Sequence, residues 1–190
     1  LRRIGDEEMP DFTGQRVVVI GGGNVAMDVT RSAIRLGAAK VTCVYRRRLE
    51  DMTAQMEEVE GAMAEGAEIL ALHAPTRIES GENGEVKALW VQPQVIGEVR
   101  GGRPAPRKAD QPEERIACDV VLMAVGQVVD SKSFAQAGVP TDHNNIVTAD
   151  DGSVPGLEGV FSGGDCVSGP ATVILAIEAG KVAAASIDEY

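Results

Sequence analysis

Aromatic residues make up only 3% of the 190-residue chain, with one Trp, two Tyr and three Phe. Recognition of single-stranded nucleic acid leans on stacking against such rings, so their scarcity argues against it. A net charge of -11 argues the same way, because a polyanion or an anionic membrane surface repels an acidic protein. No apolar run approaches the roughly 20 residues that span a bilayer. No secretory leader is legible, so a cytoplasmic location without a membrane partner is expected. The three cysteines, Cys43, Cys118 and Cys166, form no C-x-x-C pair and no iron–sulfur spacing. Cys43 and Cys118 fall in strand-like runs as small buried hydrophobes. The two histidines, His73 and His143, and the two tyrosines, Tyr45 and Tyr190, stand apart, without the His, Tyr–Lys or metal constellation of an ordinary dehydrogenase.

Glycine, by contrast, is plentiful at 22 residues, and Gly21, Gly22 and Gly23 stand in a row. Before them the run VVVI at 17–20 is too short for a helix and β-branched, which reads as a buried parallel strand. After them Asn24 opens a helical pattern. Gly21, Gly23 and Ala26 fit the G-x-G-x-x-G/A fingerprint: a tight turn, close approach of a pyrophosphate to the backbone, and close packing of helix on strand. Bare N–H groups and the helix dipole favour an anion at that point.

Val25, Val29, Ala33 and Leu36 recur at helical spacing as a sheet-facing stripe, with Gly37 as the C-cap, and 41–45 reads as the second strand. In NAD-binding units a carboxylate ends that strand and takes the ribose hydroxyls. Here the strand runs into Arg46, Arg47 and Arg48, and no carboxylate appears before Glu50. A guanidinium fork matches a phosphate, so the 2′-phosphate of NADP is expected there. Met52, Met56, Val59 and Met63 mark a second helix, its methionines expected in the core, and 68–72 a third strand ending at His73. A turn at 80–84, a strand at 86–91, a loop at 101–110 and a strand at 115–118 suit a small antiparallel meander. Arg103, Arg107 and Lys108 read as solvated loop residues. The apolar run 120–125 ends at Gly126, on the sheet edge where a nucleotide lies. Short elements follow, a helix at 132–138 and a strand at 146–147.

A second informative stretch spans 159–181. A strand at 160–162 leads into Gly163, Gly164 and Asp165, and a helix follows from 171 to 188. Ala171, Thr172 and Val173 present N–H groups suited to an electronegative edge, such as a flavin pyrimidine oxygen. The fold class is therefore α/β, a Rossmann-like parallel sheet with a β-meander crossover. Its expected divisions are a lead-in at 1–15, an NADP-binding domain at 16–127 and part of a further domain at 128–190.

IGGGNVAMD, YRRR, AVGQ and FSGGDCVSGPATVILAIEAGK, in that order, resemble the flavin- and NADPH-dependent oxidoreductases typified by the small subunit of bacterial glutamate synthase. The amino-terminal half of dihydropyrimidine dehydrogenase is similar. The resemblance implies part of a two-dinucleotide-binding-domain flavoprotein fold, with 128–190 the carboxy-terminal part of its FAD-binding domain. It places the NADPH pyrophosphate on Gly21, Gly22, Gly23, Asn24 and Val25, the 2′-phosphate on Arg46 and Arg47, and Gly126 beside the nucleotide. It places the FAD ribityl–phosphate region at Gly164 and Asp165, and the flavin ring at Ala171, Thr172 and Val173. Where the family has Met-Pro-Ala, this chain has Met52, Thr53 and Ala54. The family's first glycine fingerprint and its iron–sulfur cysteines are expected upstream of Leu1, in a longer protein or a partner subunit. The expected activity is hydride passage from NADPH to FAD and on to clusters or a partner. The alternative is an NADP-binding module inactive by itself because its FAD site is incomplete. The cofactors carry that chemistry, so neither a catalytic side chain nor a metal ligand is named.

Overall fold

A computed structural model describes residues 9–100 and 103–190. The chain divides after Gly126 into two compact units. The first unit is built on four parallel strands: β1 (Arg16–Ile20), β2 (Lys40–Val44), β3 (Glu68–Leu70) and β8 (Val120–Met123), in the order β3-β2-β1-β8. Helices α1 (Asn24–Arg35) and α2 (Met56–Ala64) make the crossovers between β1, β2 and β3. Between β3 and β8 the chain runs through antiparallel strands β4 (His73–Ser80), β5 (Val86–Arg100), β6 (Arg103–Lys108) and β7 (Glu114–Ala117). β5 pairs with the other three.

The run VVVI needs no polar alternation because both faces of β1 are covered. Val17 and Val19 pack with Val41, Cys43, Ala26 and Val59 on the helical side. Val18 and Ile20 pack with Leu89, Val91 and Cys118 of the meander on the other. Cys43 is fully buried, and burial pushes its thiol up to about 11, so it is an inert packing group.

Charge pairs tie the layers at their rims. Asp119, just before β8, accepts from the Arg16 backbone N–H at 2.8 Å and from its guanidinium at 2.7 and 3.0 Å, aligning the starts of β1 and β8. Glu65, just after α2, takes Arg35 at 2.6 Å and Arg31 at 2.8 Å, both from α1. Its hydrogen bonds to Arg35 and then Arg31 hold the Glu65 carboxyl down at about 2, against an ordinary 4.5. A depressed folded-state value contributes stability that is fully present above pH 4.5 and is lost as pH falls through about 2. Glu65→Gln is therefore expected to cost stability at pH 7 and to flatten the acid limb between those values, read as urea midpoints against pH. An unchanged acid limb would count against this pairing.

Several expectations need correction. The buried face of α1 is Ala26, Met27, Thr30 and Ala33, while Val25 is 63% exposed. In α2 the buried residues are Val59 and Ala62. Met56 and Met63 are about half exposed, while Met52 precedes the helix and packs, partly buried, against the core as expected. Strand β3 stops at Leu70, Leu72 turns the chain in the left-handed region at φ 57°, and His73 opens β4. Most of the expected loop at 101–110 is strand β6, whose backbone pairs with β5. Residues 101 and 102 of that loop, and residues 1–8 of the lead-in, lie outside the described residues. The rest of the lead-in docks on the α1–β2 connection, with the Phe12 N–H donating to Leu36 O at 3.1 Å.

The second unit holds α3 (Lys132–Gln136), the short pair β9 (Thr141–Asp142) and β10 (Asn145–Ile146), α4 (Asp165–Ser168) and α5 (Val173–Glu189). The strand expected at 160–162 is a single bridge between Phe161 and Ser153. Among the described residues no helix is long and apolar enough to cross a membrane.

Candidate functional site

At the carboxyl edge of the parallel sheet the first unit carries an open cleft of about 660 Å³. It is lined by the turn Gly21, Gly22 and Gly23, by Asn24 and Val25, by Tyr45, Arg46 and Arg47 at the end of β2, and by Thr53, Arg103 and Gly126.

Why the turn is glycine follows from its surroundings. Gly21 has φ 154°, and a Cβ there would run into the carbonyl oxygen of Ala124. A Cβ on Gly22 would enter the ring of Tyr45, which is only 8% exposed and donates its hydroxyl to Asp51 O at 2.8 Å. The turn is braced mainly through its acceptors, and of its own donors the Gly21 N–H alone is engaged among the described residues, donating to Val44 O at 3.1 Å. Gly22 O accepts the N–H groups of Thr53 at 2.9 Å and Ala54 at 3.0 Å, and Asn24 Oδ1 accepts that of Gln55 at 2.9 Å. Among the described residues no acceptor takes the N–H of Gly22, Gly23, Asn24 or Val25. Gly23 caps α1 without a side chain, and no acidic residue stands in the first turn. Unpaired donors and the positive end of a dipole thus face the cleft together. Thr53 supplies an N–H that the proline of the family pattern lacks.

The three consecutive arginines separate. Arg48 is held by the Asp51 carboxylate at 2.8 and 3.0 Å and by Glu50 at 3.2 Å. Its guanidinium, the largest influence on Asp51, holds that carboxyl below its ordinary value. Arg46 is exposed in the cleft, and Arg47 lines it while donating Nε–H to Pro104 O at 2.8 Å. Arg103, read from sequence as solvated, also lines the cleft, and its Nη2 donates to Asp51 O at 3.0 Å. Elsewhere Arg16, Arg31, Arg35, Arg77 and Arg115 each hold a carboxylate. Among the described residues Arg46, Arg47 and Arg103 form no ion pair with a carboxylate, although the charge of Arg47 helps to lower the Asp51 carboxyl. In an acidic protein, unpaired guanidiniums gathered around unpaired N–H groups make a site for a phosphorylated anion.

In the second unit Gly164 adopts φ 76° and precedes α4. Asp165 Oδ1 accepts the Ala171 N–H at 3.4 Å, so that donor already has a partner. Thr172 caps α5, its hydroxyl accepting from the Leu175 N–H at 3.4 Å, and Val173 is 75% exposed.

Residues 2–180 match the model of the pyridine nucleotide-disulphide oxidoreductase family. The chain belongs to that family. Over 192 residues it is 38% identical to the NADP(+)-dependent formate dehydrogenase subunit beta of Moorella thermoacetica, covering 100% of this chain and 27% of that one. Over 189 residues it is 36% identical to the glutamate synthase [NADPH] small chain of Escherichia coli, covering 96% of this chain and 40% of that one. The chain thus spans less than half the length of these relatives. Among solved structures, T. acidophilum thioredoxin reductase superposes with a TM-score of 0.77 at 23% identity, covering 94% of this chain and 53% of that one. Mycobacterium tuberculosis FprA gives 0.73 at 19%, covering 95% and 53%. The shared fold is that of flavoproteins with two dinucleotide-binding domains, and the resemblance to glutamate synthase small chains holds at the level of sequence.

Proposed function

We propose that the first unit is an NADPH-binding domain, and that the second contributes part of an FAD site completed by further protein. The cleft fits the nucleotide on its own geometry. Gly21 and Gly22 let the turn lie against Ala124 O and the Tyr45 ring, where a Cβ would collide, and the free N–H groups of Gly22, Gly23, Asn24 and Val25 suit a pyrophosphate. Arg46 and Arg47 suit the 2′-phosphate, and Gly126 lies where the nucleotide passes the end of β8. The single observation that carries this reading is the set of arginines in that cleft left without carboxylates. Gly164 and Asp165 would hold the ribityl–phosphate region of FAD, and Ala171, Thr172 and Val173 would meet its ring.

Together the two cofactors supply hydride transfer from nicotinamide to flavin. The chain's residues bind and orient, and no acid, base or nucleophile is assigned. In the whole protein electrons would leave through iron–sulfur clusters or a partner subunit. The relatives, an NADP(+)-dependent formate dehydrogenase subunit and a glutamate synthase [NADPH] small chain, support the nucleotide and differ in the reaction. Titrating the chain with NADPH and NADH tests the reading. NADPH is expected to bind at least about tenfold more tightly, with no oxidation of NADPH by the chain alone. Equal affinities would remove the 2′-phosphate from the site. Steady oxidation with bound yellow flavin would show that the FAD site is complete.

A further inference from the structure

Arg103 reaches the cleft from outside the strand–helix–strand unit that ordinarily reads a dinucleotide. It lies on β6, in the crossover meander, and pairs across the hairpin with Arg100. Two hydrogen bonds stitch this point of β6 to the residues that follow β2. Arg103 Nη2 donates to Asp51 O at 3.0 Å, and Arg47 Nε donates to the carbonyl of the neighbouring Pro104 at 2.8 Å. Asp51 O is itself fixed by the Tyr45 hydroxyl at 2.8 Å. The Arg103 guanidinium is thus oriented by one donor and keeps the rest of its fork available. Among the described residues no carboxylate neutralises it. The next arginine on the strand, Arg107, does not line the cleft and serves as its contrast.

We infer that Arg103 is a third ligand of the cofactor's phosphate monoester. The crossover meander, together with the βαβ unit, then sets the preference for a 2′-phosphorylated nucleotide. This rests on the NADPH reading of the cleft and adds a residue to it. A guanidinium that only strapped β6 to Asp51 O would act on loop position and affect all nucleotides alike. One that touches the monoester acts only on ligands that carry it.

The two are separated with 2′,5′-ADP and 5′-ADP, which need neither nicotinamide nor flavin. Calorimetric titration of the full chain is compared with Arg103→Ala, Arg103→Lys and Arg107→Ala. Arg103→Ala is expected to weaken 2′,5′-ADP by about ten- to a hundredfold and 5′-ADP by less than about threefold. It should also blunt the salt dependence of 2′,5′-ADP binding. Arg103→Lys should recover part of the loss, since it keeps the charge without the fork. Arg107→Ala should behave as the parent. Parent-like binding by Arg103→Ala, or an equal loss for both ligands, overturns the assignment while the NADPH reading stands. A parent chain that does not distinguish the two ligands overturns that reading, and Arg103 falls with it.

Discussion

Replacing Arg46 and Arg47 together by alanine is expected to weaken NADPH by at least about a hundredfold while leaving NADH within about twofold. Charge-assisted hydrogen bonds to a phosphate contribute about 1.5–3 kcal/mol each, and two guanidiniums facing one doubly charged ester give several. The two arginines are not equivalent. Arg46 is exposed and, among the described residues, has no hydrogen bond or ion pair, so Arg46→Ala reports the ligand contact cleanly. Arg47 also donates to Pro104 O, so its removal frees the start of β6 and should lower stability by about 1 kcal/mol. Arg48→Ala provides the internal control, because its guanidinium is already spent on Asp51 and Glu50. It should disturb the turn at 49–51 and leave the NADPH-to-NADH ratio near that of the parent. If all three substitutions weakened both nucleotides equally, the arginines would be shaping a loop and not recognising a phosphate.

What was legible in the sequence is the part of the chain where one local rule decides the outcome. A β-branched run bounded by glycine becomes a strand whichever way the rest folds, and the strand–glycine–helix order follows from that. The arginines after β2 were legible as a group. Their division between cleft and carboxylate was not, because Asp51 folds back on Arg48 only through the short helical turn at 49–51. The meander hid a strand. Pro104 and Pro106 and the neighbouring glycines read as loop, yet β6 lies at an edge of its sheet, where a residue without an N–H leaves no ladder bond broken. A loop at this point predicts solvent-exposed charge at Arg103, whereas the strand brings it to the cleft. The face of α1 is rotated from the expected stripe for a different reason. Periodicity weights large apolar side chains, whereas α1 buries the small residues Ala26, Thr30 and Ala33 beside Met27, with Val29 packed at the edge of the core. Close approach selects small residues, and Val25 is left at the mouth of the cleft.

Gly21→Ala is expected to cost about 2–4 kcal/mol of stability and to abolish measurable NADPH binding. Two independent penalties meet at this position. The backbone sits at φ 154°, a region nearly closed to residues with a Cβ, and the added methyl would strike the Ala124 carbonyl oxygen and crowd Ala26 Cβ at 3.0 Å. The obstructing atom is backbone at the end of β8, which is hydrogen-bonded to β1 through the Ala124 N–H and Ile20 O at 2.8 Å, so it has little freedom to give way. Any relief must come from the turn, which would move the N–H groups of Gly22 and Gly23. Gly126→Ala isolates one penalty from the other. Its φ is 95°, but nothing lies within 4 Å of a Cβ there, so only backbone strain of about 1 kcal/mol is expected. Trp90, the one tryptophan of the chain, lies on β5 in the same unit and reports unfolding in urea. A Gly21→Ala midpoint no lower than that of Gly126→Ala would mean that β8 does not press on the turn. The close packing of the turn on the end of β8, which excludes a side chain at this position, would then be absent.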